Sequence, residues 1–427
     1  MSKKRKRPRT PPRNQTSDRK RPPGVVAASA PLAMTRSWRP LPPDPPPLLL
    51  RPRATLPQQP TVTTVGDAPQ PGDVPVDFVR VPFPVLADTE PQALGVTYRF
   101  PLPPGQTCPP MRLTVRGRHR APDLAPEAGT FTVTAEVPAL PARGEATFTV
   151  RALDLAAGDW QVSVEPELLE PTSGWRPPRA SGQGRTAYAP VVRSLAPGVV
   201  LGAWPGLVLL GVILGTLTMT LLANRLHLPT GQVLLAAVLS SMLGAVGGKG
   251  YFLALHRDRQ IPGLWQTGMA IQGFILGSLA SMVTASALLS FPVGRVLDVT
   301  VAGLLVGLTV GRLGCFFGGC CAGRPTTSRW GRWSSDRILG VRRIPTQLLE
   351  SAGAGVLAIV VGLFVWNDDG HTGGIVAVAG LAAYTELRQL LFPYRSVPRT
   401  TRYGRVVVLA ATAATVVAVI ALIVRQG

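Results

Sequence analysis

From Val199 onward the chain repeats one pattern, an uncharged apolar stretch of about 20 residues, the length a helix needs to cross a hydrocarbon core. The stretches run at about 199–223, 230–255, 266–291, 297–318, 346–366, 372–392 and 405–424. Lipid offers backbone amides no hydrogen-bond partner, so such segments must close their hydrogen bonds internally, as helices. The expected architecture of this half is a multi-pass α-helical membrane domain of about seven transmembrane helices, spanning 194–427.

The first half reads differently. Residues 1–73 are rich in Pro and Arg, with PPDPPPLLLRPR near the middle, and read as a disordered tail. Between 74 and 193 the sequence turns to short alternating runs bounded by Pro or Gly, such as GVTYRF, TFTVTAEV and DWQVSVEP. Period-two alternation is the mark of half-buried strands. Six or seven of them point to a small all-β sandwich, immunoglobulin-like, with Trp160 and Tyr188 as its core aromatics. Much of the net charge of +21 sits in MSKKRKRPRTPPRNQTSDRKRP. Solvation of the tail is the first reading of that charge, and contact with anionic lipid head groups the second. No nucleic-acid partner is expected, since no reader of nucleic acid follows. The Val25–Ala33 stretch is too short and weakly apolar for a signal peptide, so the span at 199–223 is expected to act as the first anchor.

Ionisable residues inside membrane spans are costly, which makes them functional candidates. Arg312, Glu350 and Glu386 are the main ones, with Lys249 and Gln272 as weaker members. Arg312 is flanked by Gly311, Gly314, Gly318, Gly319 and Gly323. Small residues permit close helix packing, and they equally permit a ligand to reach backbone. For Arg312 two readings stand: an ion pair with Glu350 or Glu386, or an anion site in which the guanidinium fork takes a phospholipid phosphate. Of the four cysteines, Cys108 stands alone while Cys315, Cys320 and Cys321 crowd together. With no neighbouring histidine, packing thiols are preferred there over a metal site, and no cofactor is expected.

Four segments resemble the bacterial prolipoprotein diacylglyceryl transferase family over about 200–425. They are GRLGCFFGGCCAGRPT at 311–326, IPTQLLE at 344–350, LLGAVGGKGYFLALH ending at His256, and GMAIQGFILG at 268–277. The resemblance implies transfer of diacylglyceryl from phosphatidylglycerol to the lipobox cysteine of a prolipoprotein, in the cytoplasmic (inner) membrane of a bacterium. It implies substrate-binding roles for Arg312, Gly311, Gly314, Cys315, Gly323, Gln347, Gln272 and Tyr251, and catalytic roles for Glu350 and Glu386. The sequence departs from the family pattern at Cys315 (asparagine), Gln272 (histidine), Ile344 (histidine) and Ala382 (arginine). Glutamine cannot act as a general base, so Glu350 and Glu386 are left as proton acceptors. The alternative is a catalytically lapsed relative that serves as a phospholipid-binding scaffold with a partner-binding β-domain. A transporter path through Lys249, Glu350 and Glu386 lacks the inverted repeat that would support it. By the positive-inside rule the Arg-rich loops 324–343 and 388–405 face the cytoplasm together with the N-terminus, the reverse of the family's arrangement.

Overall fold

The computed structural model describes residues 73–426 apart from 84, 86–87, 122–127, 142, 171–173, 256–267, 369–372 and 397–402, with backbone alone beyond 422. All but the last residue of the tail read as disordered lies outside the described residues.

Among the described residues nine strands precede the membrane half: β1 (Val74–Pro75), β2 (Asp77–Phe78), β3 (Gln92–Pro101), β4 (Met111–His119), β5 (Thr130–Val137), β6 (Glu145–Leu153), β7 (Asp159–Leu168), β8 (Ala180–Arg185) and β9 (Ala187–Tyr188). Alternation places them: Met111, Leu113 and Val115 of β4 are buried while Arg112, Thr114 and Arg116 point outward. One sheet has the order β1-β8-β7-β4-β5. The second runs β6-β3-β2 at one end, with β9 also on β3. Trp160 is fully buried between them and donates its indole N–H to the Ala156 carbonyl at 3.1 Å. Tyr188 is not a core aromatic: it is half-buried on the short β9, at the edge of β3, where only one face is covered. Tyr98 fills that role instead, 1% exposed and with its hydroxyl bonded to the Pro178 carbonyl at 2.6 Å. Cys108 is wholly buried in the same core, and burial pushes its thiol up to about 12.

The second sheet is completed from far along the chain. β10 (Arg332–Ser335) and β11 (Leu339–Arg343) form a hairpin, and β11 pairs antiparallel with β6 through Leu339–Phe148 and Gly340–Thr147. Leu339 and Val341 enter the same buried cluster as Trp160. The Arg-rich stretch 324–343, read from the sequence as a loop, is thus partly sheet. Arg151 of β6 fastens this junction. Its guanidinium donates to the carbonyls of Val192, Leu195 and Arg337 at 3.0, 2.7 and 2.6 Å. Burial and the neighbouring Arg337 pull it down to about 10, which leaves it charged at neutral pH.

After α1 (Ala189–Ser194) come α2 (Ala203–Arg225), α3 (Thr230–Leu255), α4 (Ile271–Leu288), α5 (Val293–Phe317), α6 (Thr346–Trp366), α7 (Ile375–Leu391) and α8 (Gly404–Gln426). The seven from α2 on are long and apolar enough to span a bilayer, and the protein is a multi-pass membrane protein. Without a hydrophobic drive between helices in lipid, close backbone packing has to hold them. At Gly211 and Gly215 of α2 an added Cβ would lie 2.6 Å from the Gly307 and Gly303 carbonyls of α5. α3 and α4 meet at Gly247 and Gly273 and exchange Ser240–Ser278 hydroxyl-to-carbonyl bonds of 2.8 and 3.3 Å. Outward faces carry Leu217, Leu221, Val246, Ile359, Leu363 and Val417, all exposed as lipid-facing side chains would be. Asp298 of α5 is buried and accepts the Gly374 and Ala377 amides at 2.8 and 2.7 Å, capping the first turn of α7.

Candidate functional site

The charged centre lies where the C-terminal end of α5, the first turns of α6 and the last turn of α7 converge. Arg312 is 5% exposed, near the end of α5, and its Nη2 is 2.8 Å from Glu350 Oε1. Glu350, 0% exposed, sits on the second turn of α6, which starts after Pro345. Its Oε1 also accepts from Tyr384 Oη at 2.8 Å and from Arg388 Nη1 at 3.3 Å, both on α7 one helical turn apart. Its Oε2 accepts from Arg395, just past the 3-10 turn Phe392–Tyr394. Three guanidiniums therefore surround one carboxylate, a surplus of two positive charges in a largely buried place. The Nε atoms of Arg312 and Arg395 are buried without a hydrogen-bond partner. Fixed positive charge with unfilled donors is what an anion site needs.

The remaining sequence candidates fall into distinct places. Gln347, on the same α6 face as Glu350, donates to the Cys320 carbonyl at 2.9 Å, and its Oε1 is buried without a partner. At Gly311 an added Cβ would meet only Val208, at 4.0 Å, so no packing requirement explains that glycine. Gly314 packs on Trp204 and Leu207. Gly323 has a structural reason: an added Cβ would collide with the Ile344 carbonyl, and its own carbonyl accepts from Arg343 and Ser396. Arg343 is itself fully buried, paired to Asp336 at 2.6 Å, so the loop below the site is a rigid platform. Tyr251 and Gln272 are exposed on α3 and α4 and do not bond to the cluster. Glu386 lies on α7 but turns to α8, where Thr412 donates to it.

Sequence reasoning missed Arg388, Arg395, Tyr384 and Asp298. It looked for a second arginine at 382, four residues before Glu386; the structure supplies Arg388 and Arg395 from further along. Asp298 could have been found as a lone acid within an apolar run.

Cys315, Cys320 and Cys321 bring their sulfurs within 4.8 Å of one another, and Cys315 Sγ is 3.9 Å from Arg312 Nη1. Cys315 is buried, Cys320 half-buried and Cys321 exposed. Cys321 is held well below the usual thiol range, first by hydrogen bonds from Cys315 and Cys320, then by Arg312 and Arg395. A lowered thiol keeps its reactive thiolate as pH falls, until its own pKa is reached. Maleimide labelling of the full chain is expected to fall first on Cys321 and to decline less steeply below about pH 8 than labelling of an unperturbed thiol. An ordinary thiol of pKa ~8.5 would lose about tenfold per unit there. Labelling of Cys321 that declines that steeply would contradict the assignment.

A family model described as prolipoprotein diacylglyceryl transferase matches residues 190–425. The phosphatidylglycerol–prolipoprotein diacylglyceryl transferase of Wolbachia pipientis subsp. Culex pipiens is 30% identical over 159 residues, 36% of this chain and 60% of that protein. The protein of the same name from Chloroflexus aggregans is 33% identical over 130 residues, 28% of this chain and 43% of its own. That of Gloeobacter violaceus is 27% identical over 214 residues, 47% and 79% of the two chains. The chain spans 60% and 43% of the length of the first two of these curated relatives.

Proposed function

The chain belongs to the prolipoprotein diacylglyceryl transferase family, and we propose that it transfers the diacylglyceryl group of phosphatidylglycerol to the cysteine thiol of a prolipoprotein in a bacterial inner membrane. The observation that carries this reading is the set of three guanidiniums around Glu350. In the reaction the acceptor sulfur attacks the glyceryl carbon that bears the phosphate. A C–S bond forms, the C–O bond breaks, and glycerol phosphate leaves with the bonding electrons. The thiol proton passes to water or to the departing phosphate, whose second pKa is near 6.

Charge develops on the phosphate as the C–O bond breaks, and preorganised donors aimed there supply the stabilisation. Arg312, with Arg388 and Arg395 behind it, fills that role. The same field favours ionisation of an incoming thiol, as cationic neighbours lower thiol pKa values. Glu350 is assigned a positioning role rather than that of a base, because both its oxygens are taken by donors that it holds in place. Glu386, bonded to Thr412, is not given a part in the chemistry. Gln347 and Gly311 are assigned to the donor pocket, Gln347 through its unfilled Oε1.

Complementation tests the reading. The chain is expressed in a bacterium depleted of its own transferase, and prolipoprotein processing is followed by gel shift. Restored lipidation is expected, and Arg312→Ala is expected to lower it by at least about 10²-fold, the typical cost of losing one transition-state donor. Arg312→Lys, which keeps the charge but loses the fork, should fall between. Unchanged phosphatidylglycerol binding in purified Arg312→Ala protein would remove the phosphate from this site. The saturation of Glu350 also favours a second reading, a lipid-binding scaffold that has lost its proton acceptor; full-length protein in the membrane with no lipidation would select it.

A further inference from the structure

We propose that Cys315, Cys320 and Cys321 form a three-thiolate site for a single copper(I) ion. The three thiols themselves are left idle by the transfer reaction, although they share the field of the arginines placed at the phosphate.

The fold brings the three sulfurs together by local means. Cys315 is on the last turn of α5, and the chain then reverses through Gly318 and Gly319, the latter at φ +65°. The Cys320 amide bonds back to the Cys315 carbonyl at 3.0 Å, and Cys321 takes a φ of +55°, a conformation costly for a residue with a β-carbon. Gln347 holds the Cys320 carbonyl from the far side. The three sulfurs end within 4.8 Å of one another. Thiolates sharing one ion through bonds of about 2.3 Å sit about 4 Å apart, so a small closure completes the site.

Three considerations select the ion. Soft thiolates select copper(I), zinc or iron–sulfur clusters. A closed structural zinc site takes four protein ligands, and among the described residues no histidine or carboxylate joins the group. Three-coordinate copper(I) needs none. Charge then decides: three thiolates and one copper(I) carry −2, and Arg312, Arg388 and Arg395 set against Glu350 carry +2. The copper(I) group is more negative than its zinc counterpart and so better matched to this positive surround. Access runs from the exposed Cys321 inward to the buried Cys315.

The test uses the full chain, purified in detergent with reductant under anaerobic conditions and titrated with copper(I) against a competing chelator. One equivalent is expected to be retained, with three sulfur neighbours by X-ray absorption. Cys315→Ser, Cys320→Ser and Cys321→Ser should each weaken retention by at least about tenfold, and Cys108→Ser should leave it unchanged. Copper(I) should also protect Cys321 of the unmodified protein from maleimide, a readout that does not depend on any variant folding. Failure to compete with the chelator, retention insensitive to the three substitutions, or tighter binding of zinc ions alone with nitrogen or oxygen neighbours would overturn the proposal. So would a count of two free thiols rather than four in the freshly isolated protein, which would mark a disulfide within the trio.

Discussion

Glu350→Gln is expected to destabilise the membrane half by about 3–5 kcal/mol, the cost of breaking a buried ion pair and leaving its partner uncompensated. Here three guanidiniums lose their shared anion at once. Arg312, Arg388 and Arg395 lie on or beside α5 and α7, and among the described residues the Glu350 carboxylate of α6 is the acid paired with all three. Glutamine keeps the shape and two hydrogen-bonding atoms but not the charge. The measurement is thermal unfolding of detergent-solubilised protein with tryptophan fluorescence, alongside a lipidation assay at a temperature where the variant is still folded. The positioning role predicts two losses, in stability and in transfer. A variant as stable as its parent would show that the arginines tolerate one another without the carboxylate. A stable variant that had lost transfer only would make Glu350 a participant in the chemistry. The complementary change, Arg388→Gln, leaves Glu350 two cationic partners and should be milder.

Trp160→Ala should cost the β-sandwich about 3–5 kcal/mol, the usual range for emptying a buried tryptophan site. The indole is fully buried against Phe131 and His119, with ring centroids 5.4 and 5.0 Å away. The consequence reaches further than the sandwich. Leu339 and Val341 share this core, and they belong to the hairpin that continues through Arg343 to Gly323 and Ile344 beneath the arginine cluster. Loosening the sandwich should therefore raise protease sensitivity both near 120–130 and between 324 and 343, and should change the maleimide reactivity of Cys321. Leu339→Ala, made from the other side of the same core, should do likewise at about 2–5 kcal/mol. Cleavage confined to the first region, with Cys321 unchanged, would show that the hairpin holds its place without the sandwich core.

The four motif segments and the apolar runs place the chain near its family, and the reason is local. A span of some 20 apolar residues can do little else but cross a bilayer as a helix, and all seven stretches read from the sequence correspond to such helices. Strand alternation was likewise visible in Met111–His119 and Thr130–Val137, because one buried face leaves a period-two trace. Arg312 stood out for the same kind of reason, a charge deep in an apolar run.

What the sequence could not display is which charges meet. Arg388 and Arg395 look like ordinary loop cations at a helix end, and Glu386 looks a better partner for the site than either. The helical turn sends Tyr384 and Arg388 toward α6 and Glu386 toward α8, and a few residues of register cannot be fixed without knowing how α7 is rotated against its neighbours. The hairpin at 332–343 was hidden by a different cause. Its strands are short and rich in arginine, and they become strands because β6, some 190 residues earlier, offers an open edge and an unfinished core. Local propensity therefore determined the spans and most strands of this protein. The convergence of three arginines on one glutamate, and the joining of its two halves through a shared sheet, were decided by tertiary packing, because both depend on contacts between segments whose separation in sequence leaves no periodic trace.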